Sequence, residues 1–276
     1  MGFEQTIYNK NGQMLILPRI SDLDYMYSNR VGDIDPYKQT ASQMYPLGTV
    51  LLMGSRTFIY AKNGAGTPAA GCPIQQAAPA HGEQDDDIVV GAAAAAGATT
   101  VNLISTANLD TSPNDKADTF KDGWLYVNDE DGEGHSYQIK SNEALSNTDN
   151  ATFTLWDPLV VALTTSSQVG LHYNEYYRTI ATTAVVSGVL LGVSPRLLTA
   201  NYYYWVQSWG PCAVIAHAAI AKGTHVIVGT TAGKADPMAA NSVEADGATE
   251  IILGEAMTPG VADTESFLCY VKCRRI

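Results

Sequence analysis

Three stretches of this chain carry residue types at spacings that invite a chemical reading. His225 to Asp236, HVIVGTTAGKAD, runs a short apolar segment into a glycine-rich turn ending in lysine, the outline of a phosphate-binding loop. Such a loop needs Gly, four residues, Gly, Lys and then Ser or Thr, so that backbone amides wrap the phosphates and the hydroxyl binds magnesium. Gly229 and Gly233 are separated by three residues and Ala235 follows Lys234, so the loop is one residue short and its metal ligand is missing. The segment that follows, DPMAANSVEADG, has Pro237 but no apolar helical period, whereas a phosphate loop must open a helix whose N-terminus faces the anion. The stretch reads as a strand entering a glycine turn, and nucleotide binding is not expected.

The second stretch, VNDEDGEGHSYQ, gathers the oxygens a hard cation prefers. Setting Gly132 at the obligatory glycine of a helix-loop-helix calcium loop puts Asp129 and Asp131 at ligand positions, but Val127 falls at the first position and Gln138 at the twelfth. The run lies between the strand-like WLYV and HSYQIK, and reads as the tip of a hairpin. Hydrolytic chemistry has no better footing. GVSPR around Ser194 lacks the second glycine of a nucleophile elbow, and His135, His172, His217 and His225 have no nucleophile assigned to them by spacing. Carboxylates among Asp129, Glu130, Asp131 and Asp157 are members of an acidic run and do not by themselves make a glycosidase pair. Cys72, Cys212, Cys269 and Cys273 contain no Cys-x-x-Cys pair. Along a strand, Cys269 and Cys273 stand ~13 Å apart, beyond disulfide reach. Reduced thiols are expected, with no metal and no cofactor.

The third stretch, NYYYWVQSW from Asn201 to Trp209, is an aromatic cluster, which forms either a heavy core strand or a contact surface. In alternation Tyr202, Tyr204, Val206 and Ser208 take one face and Tyr203, Trp205, Gln207 and Trp209 the other. Both faces are aromatic, so the strand must be covered on both sides, by the core and a second subunit or within one domain.

The elements that position these stretches follow from composition. The 276 residues are 46% apolar and 16% charged, enough for a proper core but poor in the Glu and Lys of surface helices, which predicts an all-β fold. Residues 81 to 160 hold fifteen of the 28 acids and three of the 16 bases, so the net charge of −12 belongs to that block and the flanks are neutral. This predicts a separate acidic β module, residues 86 to 172, built from TTVNLIST, GWLYVND, HSYQIKS and ATFTLWD and inserted into a body made from both ends of the chain. The body, a β-barrel or sandwich, is expected over 46–85 and 173–276. It opens with a hairpin, Thr49 to Met53 and Thr57 to Ala61, turning at Gly54 and Ser55. About five strand candidates follow in TAVVSGVLLGVSP, NYYYWVQSWGPCAVIA, THVIVGTT, EIILGEAM and SFLCYVKCRR; Ala213 to Lys222 is open to a short helix. GTPAAGCPIQQAAPAHGEQ reads as a linker, and the five alanines after Gly91 are too short a run for an autonomous helix. Residues 1 to 45, polar and tyrosine-rich, form an extended arm.

Several function classes are excluded by the same numbers. No stripe of Lys and Arg exists for phosphate contacts, so nucleic-acid binding is not expected. The uncharged run Thr179 to Pro195 is too short and too rich in Thr, Ser and Gly for a membrane span. MGFEQT fits a loose myristoylation pattern without the polybasic neighbour that stable anchoring needs.

Four stretches resemble virion structural proteins of tailed bacteriophages, in particular head decoration (capsid cement) proteins: LGTVLLMGSRTFIYAKNGAG, GVSPRLLTANYYYWVQSWGPCAVIA, KGTHVIVGTTAGKAD, and ILGEAM followed by SFLCYVKCRR. They cover just over a quarter of the chain and leave out the acidic module. The resemblance implies a β-rich protein without enzymatic activity, often a homotrimer, located on the capsid exterior with the major capsid protein as partner. In that picture the arm and the aromatic strand make the contacts, through Tyr8, Tyr25, Tyr27, Tyr203, Trp205 and Trp209, and HVIVGTTAGKAD is a hairpin of the body. A tail or receptor-binding component is the alternative among virion proteins; a secreted β-fold carbohydrate-binding protein or hydrolase is the alternative of another class.

Overall fold

A computed structural model describes residues 13–17, 34–147, 150–184, 186–238, 251–260 and 265–273, together with the backbone of 5–8. The fold is all-β: no α-helix occurs among the described residues, and none of their helices is long and apolar enough to cross a membrane. The strands are β1 (Gln5–Tyr8), β2 (Met14–Leu17), β3 (Val50–Met53), β4 (Arg56–Lys62), β5 (Pro73–Gln75), β6 (Ile88–Ala92), β7 (Thr100–Ile104), β8 (Trp124–Asp129) and β9 (Ser136–Asn142). They continue as β10 (Asn150–Leu155), β11 (Gln168–His172), β12 (Ile180–Ala181), β13 (Leu190–Val193), β14 (Tyr203–Ile215), β15 (His225–Val228), β16 (Ala235–Pro237), β17 (Ile252–Ala256) and β18 (Ser266–Lys272). The chain divides into two compact units, Met1–Ala77 with Glu175–Ile276, and Ala78–Asn174.

The second unit is a closed antiparallel barrel in the order β10-β7-β6-β11-β8-β9. Most of its strands alternate, so that Val90, Val101, Leu103, Leu125, Val127, Ile139 and Phe153 are buried while their neighbours face out, the pattern of a small barrel filled by its own side chains; β11 is buried through Val169, Gly170 and Leu171. The unit extends beyond the expected 86–172 at both ends. Gln84, in the 3-10 turn Gly82–Gln84, is buried and accepts a hydrogen bond from Asn114 Nδ2 at 3.4 Å, and Asn174 Nδ2 donates to the Asp122 carbonyl at 3.2 Å. Asp129, Glu130 and Asp131 form the tip between β8 and β9, where Glu130 adopts φ +61°. Among the described residues no group of His, Cys, Asp or Glu side chains converges as metal ligands.

The first unit is the body. Its antiparallel sheet runs β1-β2-β3-β4-β14-β18-β17-β15-β16, with β13 joined to β14 and β5, and β12 to β5. The sequence order explains the core. Val50, Ile59, Ala61, Tyr204 and Val206 point to one face and pack under Cys72, Ile74 and Leu191 of the β5–β13 strip, which gives the sandwich-like layering. Leu51, Phe58, Tyr60 and Trp205 point to the other face and pack with Leu15 and Leu17. A third cluster joins Val214, Val226, Leu253, Phe267 and Val271.

Three expectations change here. The arm was expected to be extended, yet within it β2 pairs with β3 of its own chain, and Leu15 and Leu17 are 2% and 0% exposed, because MLIL supplies the apolar residues that cover the β3–β4 face. Ala213 to Ile215 are the end of β14 rather than the start of a helix, held by β18 through Ala213↔Leu268 and Ile215↔Ser266. The expected linker contains β5, which begins at Pro73, a residue that a strand tolerates at its first position, and pairs with β12 and β13.

Candidate functional site

The aromatic strand builds the candidate site. β14 pairs with β4 in the register Tyr203↔Lys62, Tyr204↔Ala61, Trp205↔Tyr60 and Val206↔Ile59. Alternation then places Tyr203, Tyr60 and Trp205 on one face of the sheet. Tyr60 stacks on Tyr203 at 5.9 Å with planes 11° apart and meets Trp205 edge-on at 5.0 Å; Tyr45 touches Tyr60 at 5.3 Å and Trp205 at 5.4 Å. Ring pairs at these separations add to the burial energy of the rings themselves.

Residues 34 to 45 run across this face and are tied to it by hydrogen bonds. Thr40 and Tyr203 exchange two backbone bonds, 3.0 and 2.8 Å, and the Met44 amide donates to the Tyr60 hydroxyl at 3.0 Å. Gln13, itself buried, clamps Ile34 by accepting from its amide at 3.1 Å and donating to its carbonyl at 2.9 Å. Arg196 Nη1 donates to the Tyr37 carbonyl at 2.6 Å, and Arg56 Nη1 to the Tyr37 hydroxyl at 2.9 Å. Between the segment and the strand lies a cleft of about 130 Å³, lined by Ile34, Met44, Tyr45, Tyr60 and Trp205 with Asp35, Lys38 and Thr40 at its rim. Burial raises the pKa of Tyr45, Tyr60 and Tyr203 above the usual phenol value, so at ordinary pH their hydroxyls stay protonated and contribute hydrogen bonds, not charge.

Of the contact residues read from sequence, Tyr203 is half-buried and borders this cluster, and Trp205 is 3% exposed, beneath Tyr45 and Tyr60. Trp209 is half-buried and meets Tyr270 edge-on at 5.9 Å. The register of β14 against β4 shifts between Gln207 and Trp209, so these three aromatics do not form one surface. Tyr8 lies in β1, where the backbone alone is described; Tyr25 and Tyr27 lie outside the described residues. Sequence reading missed Tyr45, Tyr60, Asp35 and Lys38. FIYA and SQMYP look ordinary alone, and only the register of β14 against β4 shows that Tyr60 meets Trp205.

HVIVGTTAGKAD forms the hairpin β15–β16. Its turn closes on Asp236, whose Oδ2 accepts from the Thr230 amide at 2.9 Å and the Thr230 hydroxyl at 3.1 Å while Oδ1 lies 3.0 Å from His217 Nδ1. The trio Asp, His and Thr does not have the order of a hydrolytic triad, because the Thr230 hydroxyl lies on the Nδ1 side of the ring, 3.5 Å away, together with the carboxylate. A nucleophile must face the other ring nitrogen. Gly233, at φ +71°, sits where a β-carbon would come within 2.8 Å of Cys72 Sγ, so the glycine serves packing rather than a phosphate.

Cys72, Cys212 and Cys269 are buried free thiols and Cys273 is a half-buried one. Cys212 and Cys269 face each other across β14 and β18 and are not bonded. Burial pushes the thiols of Cys72, Cys212 and Cys269 up to about 12, and that of Cys273 upward as well. Comparison with family models, with curated proteins and with solved structures finds no match to this chain.

Proposed function

We propose that this chain is a structural protein of a phage virion that binds the outer surface of the capsid, as a homotrimer, and stabilises it. The observation that carries the reading is where the resembling stretches lie. LGTVLLMGSRTFIYAKNGAG is β3–β4, GVSPRLLTANYYYWVQSWGPCAVIA runs from β13 to the end of β14, KGTHVIVGTTAGKAD is β15–β16, and the last pair is β17 and β18. These are neighbours in one sheet, β3-β4-β14-β18-β17-β15-β16, so the resemblance covers a coherent structural unit and omits the acidic barrel. Mixing the purified protein with emptied, expanded phage heads tests the reading. Saturable binding at a fixed ratio to the major capsid protein supports it, and a monomer in solution that ignores the heads overturns it.

A second reading rests on the cleft. Its accessible part offers the half-buried Tyr45 beside the exposed Asp35 and Lys38, one ring with a carboxylate and an amine that a sugar could use, which favours a receptor-binding component over a cement protein. A glycan array separates the two: strong, selective retention of one sugar that is lost in Tyr45→Ala favours the receptor role.

A further inference from the structure

Lys62 ends β4, and the chain from Tyr176 to Thr179 wraps around it. The Lys62 amide donates to the Tyr176 carbonyl at 2.8 Å, and the Lys62 carbonyl accepts from the Thr179 amide at 2.9 Å and the Thr179 hydroxyl at 3.3 Å. The wrap is anchored further by Gly64, whose amide donates to the Thr179 carbonyl at 2.8 Å, and by the Thr179 and Tyr204 hydroxyls at 2.8 Å. Arg178, carried on this wrap, adopts φ +58°. A left-handed backbone costs a non-glycine residue on the order of 1–3 kcal/mol and persists where its surroundings fix it. The Arg178 backbone is thereby held beside that of Lys62, next to the bridge between Asn63 and Thr179.

The Lys62 ammonium stands 5.1 Å from the centroid of Tyr177 and 5.4 Å from that of Tyr203, within cation–π reach of both rings. Burial lowers its pKa, and the Arg178 guanidinium pushes it further in the same direction. Elsewhere in the body a lysine finds its acid: Lys272 lies 2.6 Å from Glu255. Among the described residues neither Lys62 nor Arg178 forms an ion pair. A half-desolvated ammonium beside a guanidinium is a repulsive arrangement that an anion placed between them reverses.

We propose that Lys62 and Arg178 form a binding site for one oxyanion, a carboxylate or a phosphate group, with Tyr177 and Tyr203 flanking the ammonium. The guanidinium offers a planar fork to two oxygens, and the ammonium adds a point charge with rotatable donors. The site does not depend on which partner the body engages.

The test uses the full chain and follows the Lys62 ε-methylene signal by NMR, assigned by its absence in Lys62→Met. Sodium acetate and sodium phosphate are titrated separately at constant ionic strength, with sodium chloride as the reference. The expected result is a saturable shift with acetate or phosphate, and roughly tenfold weaker binding in Arg178→Gln. Tighter binding of acetate identifies a protein carboxylate as the natural group, and tighter binding of phosphate a phosphorylated ligand. A Lys62 signal that moves no more with either anion than with chloride, or moves equally in Arg178→Gln, overturns the proposal.

Discussion

Replacing Trp205 and Trp209 separately by alanine distinguishes a wall of the cleft from a surface aromatic. Trp205 is 3% exposed and packs against Tyr45 and Tyr60 at 5.4 and 5.0 Å, so truncation removes a large buried side chain and leaves a cavity, at about 3–5 kcal/mol. That is a fifth or more of the roughly 5–15 kcal/mol that holds a domain together. Trp209 is half-buried and meets Tyr270 edge-on, and its loss should cost about 1–2 kcal/mol from the smaller buried area and the ring contact together. Hydrogen exchange at the β4 and β14 amides reads the opening free energy of the body alone, without interference from the barrel. Trp205→Ala should lower that free energy by at least about 1 kcal/mol more than Trp209→Ala does. Equal losses, or a loss at Trp205 under about 1 kcal/mol, would refute the assignment of Trp205 to the core and return it to the list of contact residues.

Other outcomes are expected on the same grounds. With their pKa values at about 12, the thiolate fraction of Cys72, Cys212 and Cys269 at pH 8 is about one in ten thousand; iodoacetamide should leave these three unlabelled in the native protein and modify all four cysteines in denaturant, and rapid native labelling of any of the three would contradict their burial. Asp122 has its pKa raised by burial, so the folded barrel binds this proton more tightly than the unfolded chain, and the resulting stability is present below the usual carboxylate value of 3.8 and lost as pH rises through the folded value. Asp122→Asn should therefore raise the melting temperature at pH 7 and leave it unchanged at pH 3; a lower melting temperature at pH 7 would contradict this. At Gly254 a β-carbon would collide with the Tyr270 carbonyl oxygen across the β17–β18 ladder, so Gly254→Ala should cost about 3 kcal/mol in thermal unfolding, and a neutral result would place the two strands further apart.

The parts of this fold legible in the sequence are those governed by local rules. The β3–β4 hairpin is readable because two runs of strand-forming residues flank a glycine turn, and Gly54 does adopt φ +59°. Alternation within NYYYWV likewise assigned Tyr204 and Val206 to one face and Tyr203 and Trp205 to the other. Strands whose stability lies in distant partners left no such trace. PIQ becomes β5 because residues 180–181 and 190–193 pair with it, and IVVGA and QVGLH become β6 and β11 because the barrel needs both to close. The site was half legible for the same reason. The aromatic strand announced itself by composition, whereas the contact of Tyr60 with Trp205 and the approach of Arg178 to Lys62 exist only through pairing between segments far apart in the chain.

Charge is partitioned along the boundary between the units, and this bears on where contacts form. Ala78–Asn174 contains fifteen acids and three bases, leaving thirteen of each in the rest of the chain. The barrel is therefore a strongly negative unit, which favours solvation and repels like surfaces. The neutral body holds the aromatic face, the cleft and the Lys62–Arg178 pair. A partner gains more by burying aromatic and weakly charged surface than by desolvating clustered carboxylates, so the proposed attachment is expected on the body. The consequence is testable by fusing or exchanging the barrel: replacing residues 78–174 with a short Gly/Ser linker should leave attachment to a partner intact, whereas loss of attachment with the body still folded would move the contact surface to the barrel.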